Sequence, residues 1–142
     1  MASHELKLAP SPRGLTDLTS HVRPIVHRSG IASGLCNLFI LHTSASLLIQ
    51  ENSDPSVRRD LEAWLSRLVK EGDPLYTHRD EGPDDMPAHI KAALTCSSLS
   101  IPIINSALAL GRWQGVYLWE HRTHASARSL VITLLGAAGG TD

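Results

Sequence analysis

Apolar and polar positions change period several times along the chain, and each change marks an element. Residues 4–9 alternate weakly, with Leu6 and Leu8 on one side, and predict a short first strand that Pro10 to Gly14 breaks. Leu18, Val22, Ile25 and Val26 then recur at helical spacing. Thr16 or Asp17 is available to cap that helix, Pro24 interrupts it, and Ser29 and Gly30 end it. The run Leu35–Leu41 is apolar and of strand length, which predicts a central strand covered on both faces. Leu47, Leu48 and Ile49 resume that strand or pair beside it. Asp54 before Pro55 is a helix start, a side-chain cap followed by proline at the first helical position. Val57, Leu61, Leu65 and Leu68 give that helix its stripe, with Trp64 alongside. Arg58, Arg59, Glu62 and Arg67 fall mostly off the stripe and read as a solvated face.

Residues 76–89 have no sustained period and are broken by Gly82, Pro83 and Pro87, so they predict a loop leading into a short helix that His89–Leu94 continues. Asp85 and His89 are four apart and share one face of it. Ser98–Ile104 is β-like, with Pro102 favouring an edge or a bulge. Asn105 begins a turn, and Leu108–Leu110 form a short extension. Trp113–Glu120 is a strand with Gln114, Val116, Leu118 and Glu120 on one side and Trp113, Tyr117 and Trp119 on the other. Arg128–Leu135 is the last strand, and Gly136–Asp142 reads as a frayed tail. Several strands with two or three helices, lacking regular βα alternation, predict an α+β fold. The expectation is a single compact domain over residues 1–136, with a largely antiparallel sheet, and a flexible tail from 137 to 142.

Composition narrows the function classes. A chain of 142 residues is the size of one domain and too short for a (β/α)8 barrel of about 250 residues. A net charge of -1 with no basic stripe argues against a nucleic-acid partner. No apolar leader and no membrane-length apolar run are present, so the expectation is a soluble cytoplasmic protein without a membrane partner. Cys36 and Cys96 lie far apart and outside any CxxC pair, with Cys36 read as a buried free thiol. Eight histidines against one phenylalanine favour a site. Neither a phosphate-cradling glycine motif nor a GxSxG elbow occurs.

Three constellations could carry chemistry. The 76–89 stretch brings two imidazoles together with Asp80, Glu81, Asp84 and Asp85. Imidazole suits zinc and other transition ions and carboxylate suits harder cations, so this is either a metal site or a solvated acidic loop. Glu120, Arg122 and His124 alternate, and an extended backbone would project all three to one side. That set suits binding and turnover of an anionic substrate, or else forms a local ion pair at a strand end. Glu51 and Asn52 have no evident structural duty beside the Asp54 cap. His42, just after a strand, is weak on its own.

The segments Leu41–Ser46, Glu51–Pro55, Asp84–Lys91, Ile101-Pro102, Gly111–Gly115 and Glu120–Arg122 with Arg128 resemble the YjbQ-like family, whose members are often labelled secondary thiamine-phosphate synthase enzymes. The motifs fall in the family's order over about residues 35–136. The resemblance implies an α+β domain of antiparallel strands flanked by helices, assembled as a homotrimer. It also implies a divalent metal ion, zinc or magnesium, on His42, His78 and His89. Glu51, Asp84, Glu120, Arg122 and Arg128 are the expected catalytic groups, and Asn52, Trp113, Gln114 and His124 the expected substrate-binding ones. Three departures stand out. Arg112 replaces the family's usual threonine, adding bulk and charge near the expected pocket. Asn105 and Ser106 stand where a glycine is common, and Asp85 replaces the asparagine of many members, although one branch has Asp-Asp.

Three functions follow as expectations. The first is a transferase joining a hydroxymethylpyrimidine diphosphate to a thiazole phosphate with release of pyrophosphate, as a main or a side activity. There, Asp84, Glu51 and Glu120 would hold the ion, and Arg122 or Arg128 would take phosphate oxygens. The second is a metal-dependent hydrolase or lyase on another small anionic substrate. The third is a non-enzymatic trimer that binds a small ligand.

Overall fold

The computed structural model describes residues 1–140. Its elements in chain order are β1 (Ala2–Leu8), β2 (Gly14–Asp17), α1 (Thr19–Arg28), β3 (Ile31–Ile40), β4 (Ala45–Glu51), α2 (Pro55–Leu68), α3 (Asp85–Leu94), β5 (Ser98–Ile104), β6 (Ala107–Leu108), β7 (Gln114–Glu120) and β8 (Arg128–Ala138). Every strand pairing is antiparallel. The strands form a five-stranded sheet ordered β1-β8-β3-β5-β6 and a three-stranded sheet ordered β2-β7-β4. The fold is thus α+β with three helices, as the mixture of periods predicts.

The main core lies between the two sheets. Cys36, Leu38 and Ile40 of β3 and Leu130, Ile132 and Leu134 of β8 meet Val116 and Leu118 of β7 there, and Leu18, Val22 and Val26 on and beside α1 complete it. All of these are at most 2% exposed, so each side chain gains close to its full transfer free energy, about 1.5–3 kcal/mol. The opposite face of β7 carries Tyr117 and Trp119, which are also buried, with Trp119 packing on Leu65 of α2. It is therefore β7, with both faces covered, that has the environment expected for Leu35–Leu41.

β3 is central in its sheet but covered on one face only: Leu35 and Phe39 are each 46% exposed, and Ile104 and Leu135 beside them are open as well. The last strand also runs further than predicted. It continues through Gly136 to Ala138 against the start of β3, so only Gly139 and Gly140 of the expected tail are irregular; Thr141 and Asp142 lie outside the described residues. The short strand β2 was hidden by its Gly–Leu–Thr–Asp sequence. Asp17 ends it and accepts the Thr19 N–H at 2.8 Å, which starts α1. The cap of α2 is as predicted, with Asp54 accepting from the Ser56 N–H at 2.9 Å, yet Leu65 is the only residue of that helix fully buried. Asn105 (φ 51°) and Ser106 (φ 65°) form the two-residue turn between β5 and β6. Both positions need positive φ, which explains why a glycine suits this turn.

Gly34 faces Gly136 across the β3–β8 pair, and a Cβ on Gly34 would collide with the Leu135 carbonyl. Gly34→Ala should therefore destabilise the chain by about 1–3 kcal/mol. Gly140→Ala, with nothing within 4 Å of the added carbon, should leave the urea midpoint unchanged. Equal midpoints for the two variants would contradict the close approach.

Candidate metal centre

The loop after α2 folds back so that His78 meets the first turn and a half of α3. Asp85 opens that helix, and His89 lies one turn later on the same face. His78 Nε2 lies 2.6 Å and His89 Nε2 3.1 Å from the same carboxylate oxygen, Asp85 Oδ2. Ligand atoms of these three side chains all lie within 4.8 Å of one another. The carboxylate is buried while both imidazoles are partly open, so the cluster faces outward from a fixed base.

Hydrogen bonds fix the orientation of the groups. His89 Nδ1–H donates to the Thr43 carbonyl at 3.0 Å, which turns Nε2 toward Asp85. Nε2 and Asp85 Oδ2 are thus placed to share a proton or a metal cation. Asp85 is held from behind by Arg122, whose Nη1 donates to Oδ1 at 2.6 Å. Burial works to raise the Asp85 pKa, but the His78 hydrogen bond and the charges of His89 and Arg122 outweigh it and keep the carboxyl below its ordinary range. This arrangement fits a metal ligand set in which a backbone carbonyl and an arginine orient the donors.

Arg122 also binds Asp84, donating from Nε at 3.0 Å, and donates from Nη2 to the Glu81 carbonyl. The same Asp84 oxygen accepts the Thr123 N–H at 2.9 Å. Asp84 thus latches the loop after β7 onto the start of α3, and Asp85, not Asp84, faces the imidazoles. Glu120 and Arg128 are likewise used internally. They form a buried two-pronged ion pair at 2.7 and 2.6 Å, and Arg128 also donates to Ser44. Neither presents a free group for turnover or phosphate. His42 stands outside the cluster: its Nε2 accepts the Ser129 N–H at 2.8 Å, and burial, aided by Arg128, holds its pKa down against Glu120. A neutral ring bonded this way offers an N–H, not a lone pair, from Nδ1.

The remaining expected residues divide. Glu51 pairs with Gln114 in the β4–β7 register, whereas Glu120 pairs with Ala45, so the two carboxylates sit at opposite ends of β7, about 20 Å apart. At the Glu51 end, Gln114 Oε1 accepts the Gly111 N–H at 2.7 Å and Asn52 N–H donates to the Trp113 carbonyl at 3.0 Å. Asn52 and Gln114 therefore shape a turn, and Arg112 stacks its guanidinium 4.8 Å from the centre of the half-exposed Trp113 ring. One ion held by Glu51, Asp84 and Glu120 of a single chain is ruled out by this separation. The strand ends at Glu120, so Arg122 turns toward α3 and His124 is left exposed instead of projecting beside Glu120.

Two groups absent from the sequence-level expectation are buried nearby. His121 continues the odd-numbered face of Tyr117 and Trp119, a signal that strand alternation carried. Its Nε2 bonds Ser46 Oγ at 3.0 Å and its Nδ1 has no partner. Lys91 on α3 is 2% exposed, a burial that no local pattern marks. The histidine cluster itself lies between two hollows. One, of about 390 Å³, is lined by His78, Tyr76, Arg79 and Met86, and the other, of about 310 Å³, by His42, Thr43 and His89.

Known proteins share this sequence pattern and this fold. Residues 4–137 match the family described as UPF0047 protein YjbQ-like. A UPF0047 protein of Synechocystis sp. (strain PCC 6803) is 47% identical over 131 residues, covering 92% of this chain and 89% of its own. The YjbQ protein of Salmonella typhimurium is 41% identical over 138 residues, covering 92% and 95%. Among solved structures, a conserved hypothetical protein from Thermus thermophilus matches with TM-score 0.80 at 32% identity, covering 93% and 99%. A YbjQ-like protein from Sulfolobus solfataricus shares the fold with TM-score 0.87 at 23% identity, covering 96% and 97%.

His121 generates a pH prediction. Burial, with Lys91 and Arg128 adding to it, lowers its pKa to about 3 from an ordinary 6.5. Below pH 6.5 the unfolded chain takes up a proton that the folded chain refuses, so this stability is complete above 6.5 and is lost as pH falls toward 3. Urea midpoints measured from pH 7 to 5 should fall, with a slope from this group approaching about 1.4 kcal/mol per pH unit. His121→Gln should flatten that slope, leaving a residual from His42; an unchanged slope would sink the assignment.

Proposed function

The chain belongs to the UPF0047 protein YjbQ-like family, and we propose that it is a metal-dependent enzyme acting on a small phosphorylated molecule, with the ion on His78, Asp85 and His89. The observation that carries this reading is the convergence of ligand atoms from His78, Asp85 and His89 within 4.8 Å of one another. With His89 Nδ1–H committed to Thr43, Nε2 is turned toward Asp85 Oδ2, where a metal cation would be shared by the two. Two imidazoles and one carboxylate favour a transition ion such as Zn²⁺ over Mg²⁺, which prefers oxygen and keeps its waters. When bound, such an ion would supply Lewis-acid polarisation of a phosphoryl oxygen and a lowered pKa for water. The chain's own part is positional. Arg122 holds Asp85 with one oxygen turned outward, Thr43 sets the His89 ring, and His78 borders the hollow through which a substrate would approach.

The reaction we place first is the one in the family's label, thiamine-phosphate synthesis with release of pyrophosphate. Hydrolysis or elimination on another small anion is the alternative, favoured by the outward-facing His₂Asp set. The open apolar face at Leu35, Phe39, Ile104 and Leu135 supports assembly of the expected homotrimer. Catalytic or binding roles for Glu51, Asn52, Trp113 and Gln114 in the same reaction require a neighbouring subunit to bring that end to the cluster. His42 belongs to this reading as a wall of the hollow beside His89.

Protein purified without chelators should carry about one zinc ion per chain by elemental analysis. Zinc titration should show Arg122→Ala weakened about 10–100-fold through loss of the orienting contact. Asp85→Asn and His89→Ala should lose more, and His42→Ala less than threefold. Full zinc occupancy in an Asp85→Asn/His89→Ala double variant would reject the site. Turnover of the two thiamine precursors that persists in that variant would reject the site for that reaction.

A further inference from the structure

We infer that the groove between β2 and α2 is a second binding site, for a phosphorylated or polyphosphate anion. Pro55, Arg58, Arg59, Glu62, Ala63 and Ser66 recur three or four residues apart, so they share one face of α2, and that face lies against Gly14 and Leu15 of β2. What reads in the sequence as a solvated charged face is therefore one wall of a hollow of about 560 Å³, large enough for a small molecule.

Three guanidiniums, Arg13, Arg58 and Arg59, line the groove against a single carboxylate, Glu62. That carboxylate is already occupied: it accepts the Trp119 indole N–H at 2.7 Å and the Ser66 hydroxyl at 3.3 Å, and lies 3.5 Å from Arg13. Arg13 is held from outside by Glu71 at 3.1 Å. Arg58 is half-buried and fixed by donating to the Tyr117 hydroxyl at 3.1 Å, while that hydroxyl donates in turn to the Glu51 carbonyl. Among the described residues no carboxylate lies within 4.0 Å of Arg58 or Arg59. Asp54 is near enough to feel both charges, but its carboxylate caps α2.

A guanidinium held in place without a counter-ion keeps donors free for a bound anion. The planar fork of arginine matches phosphate oxygens, and the positive end of α2 adds to the same field. The guanidiniums expected from sequence to take phosphate, those of Arg122 and Arg128, are consumed by Asp84, Asp85 and Glu120, whereas Arg58 and Arg59 of the groove have no such partner. The groove shares no lining residue with the histidine cluster and does not depend on a metal there.

The test is isothermal titration of the full chain with inorganic pyrophosphate, with EDTA present so that no metal contributes. Wild-type protein should bind saturably. Arg58→Ala/Arg59→Ala should weaken binding at least tenfold, and Arg59→Ala alone, at an exposed position that leaves the fold intact, at least threefold. Arg112→Ala and His89→Ala should match wild type. Absence of saturable binding by wild type would overturn the proposal, as would unchanged affinity in both groove variants. So would loss of binding in His89→Ala with the groove variants intact, since the anion would then belong to the histidine cluster.

Discussion

The buried ion pair between Glu120 and Arg128 ties the molecule together. Glu120 ends β7 in the three-stranded sheet, and Arg128 begins β8 in the five-stranded sheet. Their two-pronged contact, reinforced by Ser44, joins the two sheets at one end of the sandwich. Leaving either charge buried alone costs about 3–5 kcal/mol, a large part of the stability of a small domain. The segment 121–127 between them carries Arg122 onto the start of α3. The Ser129 N–H beside Arg128 fixes His42 in the same way.

From that anchor the position of the histidine cluster follows. Arg122 grips Asp84 and Asp85 at once, so α3 begins at a defined place relative to β7, and His89 comes to lie over the Thr43 carbonyl. One carboxylate serves as latch and its neighbour as the group facing the imidazoles. Two uses of arginine are thereby separated. Arg122 and Arg128 are spent on architecture, while the groove beside α2 keeps guanidiniums that no carboxylate satisfies.

The sheets also explain an apparent disagreement in the apolar patterns. Leu35–Leu41 has the composition of a strand buried on both sides, yet in the single chain its outer face is open. An apolar period records that a face avoids water and says nothing about which surface covers it. In β7 the second face is covered by α2 within the chain. For β3 the chain supplies no cover, and the homotrimer proposed above would supply it.

Local chemistry was legible without coordinates. The Asp54-Pro55 cap, the spacing of Leu18, Val22 and Val26, the alternation of β7 and the pairing of Asp85 with His89 on one helical face all depend on residues a few positions apart, so the sequence determined them directly. What remained hidden depends on long-range pairing. That Glu120 meets Arg128, that Glu51 lies at the far end of β7, and that Arg58 and Arg59 line a groove against β2 are consequences of strand register and sheet stacking. A side chain's type fixes which partners would satisfy it, and only the folded backbone decides which of them comes within hydrogen-bonding distance.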